Sequence, residues 1–369
     1  MKSTQVAIAR MALAIAGGGI ACATAAQSVT LYGDVDEYVT TMHSSSGKSL
    51  TALEDGAFLL TRWGFRGAEP LAEGYATKFD LEGGIKAPVG AQKDSNRLFD
   101  RQAWVGVDTP AGEFRAGRQN TAIFYRGNYI DYTTRTLGSV VNSFGVPSRL
   151  DNDLAYLSHD LAGLTLEAHY AIPGVAGSTT VGGVGQAAAD FRRGPLRIGY
   201  AGIAAKPGPG VTTPKTIVYH NVYGDIDYGR GTVYLAFVRS NNGAGALSNV
   251  SSQAPGTPPV TSSKGATTFY DVYQVSADYR ISEAWRVGGL WGDIRDTSGA
   301  GNGMRGESLG SYYDLSKRTM VYGMLHRVRN TNQAAFVPVG SSGLLYNFSG
   351  ADVTGQSIQG IAIGMVHRF

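Results

Sequence analysis

The chain has 369 residues, of which 17% are charged, 43% hydrophobic and 10% aromatic, and it contains 51 glycines and one cysteine. The charged fraction is below the roughly 25% of soluble domains, yet the mean hydropathy of −0.10 excludes the long apolar runs of a helical membrane protein. The aromatic content argues against disorder, and a single cysteine excludes a disulfide scaffold. A large all-β protein remains, either a soluble sandwich or propeller or a membrane barrel.

The first segment has the pattern of a secretory signal peptide. Lys2 and Arg10 make its start positive, no charge follows between residues 11 and 26, and the stretch ends in small residues. We predict a signal peptide over residues 1–26, with cleavage after Ala26 or Ala25, and a mature domain over residues 27–369. Without Lys2 and Arg10 the mature chain has 30 basic and 29 acidic residues, so its charge indicates no nucleic-acid partner.

Apolar and polar residues alternate with period two along the mature chain. Residues 28–41 place Val29, Leu31 and Val39 on one face and mainly polar side chains on the other. The pattern recurs in residues 57–68, 75–84, 319–329 and 356–369. Since successive side chains of a strand point to opposite faces, each segment is predicted to be a strand with one apolar and one polar face.

The connections between the predicted strands alternate in length. Seven short turns alternate with eight longer loops, of which residues 43–56 are the first and residues 120–147 the longest. Short turns at one end and long loops at the other are typical of outer-membrane barrels, whereas a soluble sandwich has no reason to alternate them. Because lipid cannot satisfy backbone polar groups, a spanning sheet must close on itself. We therefore predict an all-β fold, a transmembrane antiparallel 16-stranded β-barrel with an aqueous lumen.

Six segments of the chain resemble the general porins of Gram-negative bacteria, especially the β-proteobacterial branch. They are residues 27–36, 62–69, 101–107, 117–119, 149–156 and 364–369. The resemblance implies an outer-membrane homotrimer, each barrel a water-filled channel for passive diffusion of small hydrophilic solutes and ions. It also implies contact with outer-membrane lipid and lipopolysaccharide, and assembly by machinery that reads the terminal Phe369. A substrate-specific outer-membrane channel is the alternative.

The resemblance further implies a third external loop that folds inward and narrows the pore, and residues 120–147 are its candidate. An external flap is the alternative for this segment. By resemblance five residues surround the constriction: Arg62, Arg101 and Arg149 on the wall, Arg118 at the base of the loop, and Asp131 on the loop. Alternation alone does not show which face of the strand carries Arg101, because Arg101 falls on the same face as the apolar Val105. Since at least three arginines face one clear acid, we predict a mild preference for anions.

No catalytic or metal-binding constellation stands out in the sequence. Residues 301–306 match G-x-G-x-x-G but lie between two predicted strands, and the six histidines lack zinc spacing. Asp34 and Asp36, on the polar face of the first strand, could hold Ca²⁺ with other oxygens, but simple solvation is the favoured interpretation. We expect no enzymatic activity, cofactor or metal. A barrel phospholipase or protease, and a soluble adhesin or lectin, are the alternatives from other classes.

Overall fold

The computed structural model describes residues 28–208, 216–241 and 269–369, so the predicted signal peptide at 1–26 lies outside the described residues. Residues 242–267, another of the eight longer loops that the sequence predicts, lie outside them as well. The strands are β1 (Ser28–Ser44), β2 (Ser49–Asp55), β3 (Arg62–Pro70), β4 (Ala76–Lys86), β5 (Ala91–Gln92), β6 (Gln102–Thr109), β7 (Gly112–Asn120), β8 (Arg149–Leu157), β9 (Leu164–Ala171), β10 (Val184–Arg193), β11 (Leu196–Ala205), β12 (Ile217–Asp227), β13 (Thr232–Ser240), β14 (Tyr270–Arg280), β15 (Trp285–Asp296), β16 (Met304–Asp314), β17 (Thr319–Asn330) and β18 (Ser357–Arg368). No helix within these ranges is long and apolar enough to cross a membrane.

The strands form one closed antiparallel barrel. Neighbours along the chain pair with each other, and β18 pairs with β1. The strands β2 and β3 lie end to end along β1, and the two-residue β5 belongs to the connection after β4. With β2 and β3 counted as one strand and β5 left out, the described residues confirm the predicted 16-stranded barrel.

The wall of the barrel has its apolar side chains outside and its polar side chains inside. In β1, Val29, Leu31 and Val39 are exposed, whereas Asp34 and Asp36 are buried. The predicted alternation recurs near the end of the chain, where β17 and β18 also present aliphatic side chains outward. An outward apolar band is costly in water and favourable against lipid, so this distribution fits a wall that spans a bilayer.

The connections differ in length between the two ends of the barrel, as predicted, with one exception. Residues 43–56, predicted to be a long loop, are mostly strand, because β1 continues to Ser44 and β2 begins at Ser49. Backbone pairing between these strands runs from Glu37 opposite Asp55 to His43 opposite Ser49, which leaves only residues 45–48 as the turn. The prediction was wrong here because the end of this hairpin, from His43 to Ser49, is polar on both faces, and a polar hairpin end looks like a loop in sequence.

The connection between β7 and β8, residues 121–148, contains two short α-helices and a 3₁₀ helix (Arg126–Tyr129). The helix α1 (Ala122–Tyr125) begins after Thr121, whose hydroxyl accepts a hydrogen bond from the backbone N–H of Phe124. The helix α2 (Val140–Phe144) begins after Ser139, which caps it in the same way. Hydroxyl caps satisfy backbone N–H groups that a helix start leaves unpaired, and they allow so short a helix to persist.

Candidate pore constriction

The segment 121–148 contacts strands far from the two it connects. The backbone N–H of Ala122 donates to Gln186 on β10 over 3.0 Å, and that of Tyr132 donates to Ser276 on β14 over 3.1 Å. The hydroxyl of Tyr132 reaches Ser308 on β16, also over 3.1 Å. In the order of the barrel, β14 and β16 lie across from β7 and β8.

Asp131, the acid predicted for the constriction, is fully buried within this segment. One carboxylate oxygen accepts from the backbone N–H groups of Thr133 and Arg135, each over 2.9 Å, and from the Thr133 hydroxyl over 2.7 Å. The other accepts from the Ser139 hydroxyl over 2.7 Å and from the Gln274 amide of β14 over 2.9 Å. Within the described residues Asp131 forms no ion pair with an arginine. Its carboxylate holds the loop in shape and ties it to β14.

Two arginines on the opposite wall share one acid. Arg62 lies 2.8 Å from Asp34 and 3.2 Å from Glu82, and Arg101 lies 2.5 Å from the other oxygen of Glu82. Arg101 directly precedes β6, and its backbone N–H donates to the carbonyl of Glu82 on β4. This bond directs the Arg101 side chain into the barrel, where it is buried.

The next two strands carry the remaining wall arginines. Arg118 on β7 donates to Asp151 and to the backbone carbonyl of Asp100, each over 2.6 Å. Arg149, at the start of β8, is buried with its guanidinium carbon 4.8 Å from the centre of the Phe124 ring. In the part of the chain that the structure describes, nothing accepts a hydrogen bond from Nε or Nη2 of Arg149.

Phe124 of α1 joins the wall to the loop. Arg135, from the loop itself, stacks on the same ring with its guanidinium carbon 4.3 Å from the ring centre. Burial lowers the pKa of Arg135 to about 10, which still leaves the side chain cationic at neutral pH. Two cations therefore share one aromatic ring, an arrangement in which the electron-rich ring face partly offsets their desolvation.

A cavity of about 580 Å³ separates this part of the loop from the wall. Its charged lining comprises five arginines and three acids: Arg62, Arg66, Arg101, Arg135 and Arg368 with Asp34, Asp80 and Glu82. The cavity therefore has an excess of positive charge on a surface that combines wall and loop.

Comparison with known proteins agrees with this architecture. The family model described as Gram-negative porin matches residues 9–333. The chain belongs to the Gram-negative porin family. An outer membrane porin protein of Bordetella pertussis is 29% identical over 367 residues, which cover 87% of this chain and 93% of that protein. This porin is therefore an outer-membrane channel protein, and its barrel encloses the water-filled path for small hydrophilic solutes and ions.

Two solved structures show the same fold at lower identity. The anion-selective porin from Comamonas acidovorans has a TM-score of 0.76 and 20% identity, with 93% of this porin and all of that chain covered. OmpT of Vibrio cholerae in its trimer form has a TM-score of 0.63 and 14% identity, with 93% and 100% covered.

The site residues predicted for this porin come together only in part. Arg62 and Arg101 line the cavity, Arg118 and Arg149 lie on the strands beside it, and Asp131 lies across the loop against β14. Sequence reasoning missed Asp34 and Glu82 as the acidic partners. Both stand on the polar face of predicted strands, but only the pairing of those strands reveals which arginine each acid meets.

On β1 the structure corrects a second prediction, that Asp34 and Asp36 are simply solvated. Asp36, expected to be solvated, is fully buried and accepts hydrogen bonds from the backbone N–H groups of Phe58 and Leu59 and from the hydroxyl of Tyr322. The chain between β2 and β3 leaves the barrel wall at this point, which turns free backbone N–H groups toward Asp36. Asp34 is likewise paired, with Arg62.

The chain's last residue closes the barrel next to this corner. Phe369, the predicted assembly signal, exchanges backbone hydrogen bonds of 3.0 and 3.3 Å with Gly33 on β1. Its ring covers Gly33, where an added Cβ would lie 2.3 Å from the ring. The terminal aromatic residue therefore packs on a position that only glycine allows.

Proposed function

We propose that this porin is a general diffusion channel with a mild preference for anions, and that residues 121–148 fold into the barrel to form its narrowest part. The excess of arginines over acids around the 580 Å³ cavity carries the proposal. The similar Comamonas structure is that of an anion-selective porin, which supports the same ion preference. An excess of fixed positive charge in a narrow aqueous passage concentrates anions and repels cations.

The inward position of the loop is supported by its hydrogen bonds. A segment that leaves β7, bonds to β10, β14 and β16 and returns to β8 has its shortest route through the interior. Its buried Asp131 fixes the turn that presents Arg135, and its Phe124 meets Arg149 of the wall. The loop thus contributes an arginine and an aromatic ring to the passage.

We also propose that the porin assembles as a homotrimer, as the trimer form of Vibrio OmpT does. Export by the segment 1–26 and recognition of Phe369 by the assembly machinery complete this proposal, and the channel performs no catalysis. Chemical cross-linking of the protein extracted in mild detergent, with the heat-dissociated chain as the reference, tests the trimer.

The ion preference is tested with the purified channel in a planar bilayer under a KCl gradient. We expect a reversal potential that favours Cl⁻. A potential that favours K⁺ contradicts the proposal. Liposome swelling with a series of sugars and amino acids tests generality, since uptake by a general channel falls smoothly with solute size, whereas a specific channel shows one saturable solute.

A further inference from the structure

The loop 331–356, which connects β17 to β18, reaches the middle of the barrel wall. The backbone N–H of Ser341 donates to the carbonyl of Gly56 over 2.6 Å, and the backbone N–H of Gly56 donates to the carbonyl of Asp36 over 2.9 Å. Asp36 is the ninth of the 17 residues of β1, whose last residue, Ser44, stands beside the start of β18. At about 3.3 Å per residue, the tip of the loop lies roughly 26 Å along the strand from the end where the loop begins.

The loop 331–356 lies on the inner face of the wall. Leu53 of β2 is exposed on the outer face, so the next side chain, Glu54, points into the barrel. The buried carboxylate of Glu54 accepts hydrogen bonds from the backbone N–H groups of Leu345 and Tyr346, each over 2.8 Å and each at its own oxygen. Because charge-assisted hydrogen bonds are about twice as strong as neutral ones, this carboxylate fixes the loop to the wall.

The tip of this loop is a tight turn that packs directly on backbone. The N–H of Gly343 donates to the carbonyl of Gly340 over 3.3 Å, which closes the turn 340–343. Gly340 lies against the chain between β2 and β3, where an added Cβ would be 2.3 Å from the carbonyl oxygen of Gly56 and 3.1 Å from Cα of Ala57. Backbone atoms cannot rotate aside as a side chain can, so this contact requires glycine at position 340.

The same loop also packs against the helix α2. The side-chain amide of Asn142 donates to the carbonyls of Val339 over 2.7 Å and of Gly340 over 3.2 Å. The buried ring of Phe336 lies 6.4 Å, centre to centre, from the ring of Phe144. The tip is therefore held from two sides, by the wall and by α2.

The tip of the loop reaches the passage. Ser341 lines the cavity of about 580 Å³ that also borders the wall arginines and the segment 121–148. We propose that the loop 331–356 is a second constricting loop, whose tip stands beside the ion path and limits the size of the solutes that pass. In 26 residues the loop has one charged side chain, Asp352, so it acts on the width of the passage rather than on the sign of the ion preference. The inference rests on the proposed diffusion channel and adds a size-limiting element to it.

A charge placed at position 341 tests whether the tip stands in the passage. Ser341→Cys is made in the full chain, whose only cysteine, Cys22, belongs to the predicted signal peptide. The purified porin in a planar bilayer is treated with a cationic or an anionic methanethiosulfonate, each of which forms a mixed disulfide and adds one charge. A unit charge about 8 Å from an ion path changes the permeability ratio about two- to threefold at ~0.1 M salt. We expect shifts of this size toward Cl⁻ with the cationic reagent and toward K⁺ with the anionic one.

Ser349→Cys is the matched control for this labelling. Ser349 is exposed and belongs to the same loop, eight residues further along the chain. We expect both reagents to leave the conductance and the reversal potential of Ser349→Cys unchanged, whereas at position 341 both should also lower the conductance because they add bulk to the passage.

A substitution without charge tests the effect of the loop on width. Gly340→Val drives a branched side chain against the backbone of Gly56 and so displaces the tip. We expect a larger single-channel conductance, faster swelling of liposomes in the larger sugars, and loss of the reagent effect when Gly340→Val is combined with Ser341→Cys. Gly343→Asn is the control, since an added Cβ there has no atom within 4 Å and asparagine tolerates the φ of +76°. Heat-resistant mobility on gels verifies that each variant is folded.

Two results overturn the proposal. The first is a reagent effect at position 341 that is absent or no larger than the effect at position 349. The second is an unchanged conductance of Gly340→Val although the reagents no longer act on its Ser341→Cys form, because a loop that leaves the passage without consequence does not narrow it. The reversal potential before treatment reports the ion preference separately. A channel that favours K⁺ refutes that preference, while the reagent shifts still locate the loop.

Discussion

Glu82→Gln gives the most direct test of the charge arrangement in the lumen. Glu82 lies 2.5 Å from Arg101 and 3.2 Å from Arg62, and it lines the cavity between wall and loop. The substitution removes one of three acids and leaves the five arginines of the lining in place. Because the amide retains the shape of the side chain, the main change is one unit of positive charge. We expect the preference for anions to increase.

The size of this effect follows from Coulomb's law. A unit charge about 8 Å from the ion path changes the energy of a monovalent ion by about 0.5 kcal/mol in water. Salt at about 0.1 M has a screening length of about 10 Å and reduces this to roughly half. Since the energies of an anion and a cation shift in opposite directions, the free-energy difference between them changes by about 0.5 kcal/mol. This changes the permeability ratio about two- to threefold.

Reversal potentials in planar bilayers measure this change, with Glu307→Gln as the matched control. Glu307 is an exposed acid on the outer face of β16, so the same substitution there leaves the lumen unchanged. The shift at Glu82 should disappear near 1 M salt, where the screening length is about 3 Å. An unchanged potential at low salt, or a shift toward K⁺, would refute the placement of Glu82 beside the ion path.

Four further substitutions test the wall, the loop and the closure of the barrel. Arg62→Ala and Arg101→Ala should each shift the reversal potential toward cations by a similar two- to threefold, and a shift toward anions would contradict their lumenal role. Asp131→Ala should leave several buried donors unpaired, at about 1–3 kcal/mol each, and we expect noisier single-channel currents with a smaller change in selectivity; quiet currents would contradict its anchoring role. Gly33→Ala should lower the melting temperature on heat-modifiability gels, because its Cβ would lie 2.3 Å from the ring of Phe369 and 2.6 Å from the Arg62 carbonyl; an unchanged melting temperature would show that this corner adjusts freely.

The barrel could be predicted from the sequence because lipid and water impose opposite demands on successive residues. Each strand between an apolar and an aqueous phase must alternate, and the pattern recurs in every spanning segment. The alternating pattern stops where a segment no longer lies between lipid and water. Around the turn at residues 45–48 the hairpin is polar on both faces, so residues 43–56 were predicted to be a loop, although Leu53 of β2 stands opposite the outward-facing Val39.

The arginines of the site could be proposed by resemblance, but their partners depend on strand register. Gly64 of β3 stands opposite Glu82 of β4, and Glu82 stands opposite Gln102 of β6. Arg62 is therefore two residues from the point directly across from Glu82 on one side, and Arg101 is one residue from it on the other. A long side chain covers either offset, so one acid serves both arginines. The sequence of each strand by itself does not show these offsets, because they depend on how the strands pair.

The hydrogen bonds of Asp131 bear on the origin of the excess positive charge in the passage. Its two oxygens are occupied by donors of the loop and of β14, so the loop presents no free acid to the wall there. Arg62 and Arg101 meet their acids within the wall itself, and such pairs largely cancel at a distance. Of the arginines that line or border the cavity, Arg66, Arg135 and Arg149 form no ion pair among the described residues; Arg66 stacks on Tyr32, and the other two stack on Phe124. We infer that these three, rather than a field between wall and loop, set the preference for anions.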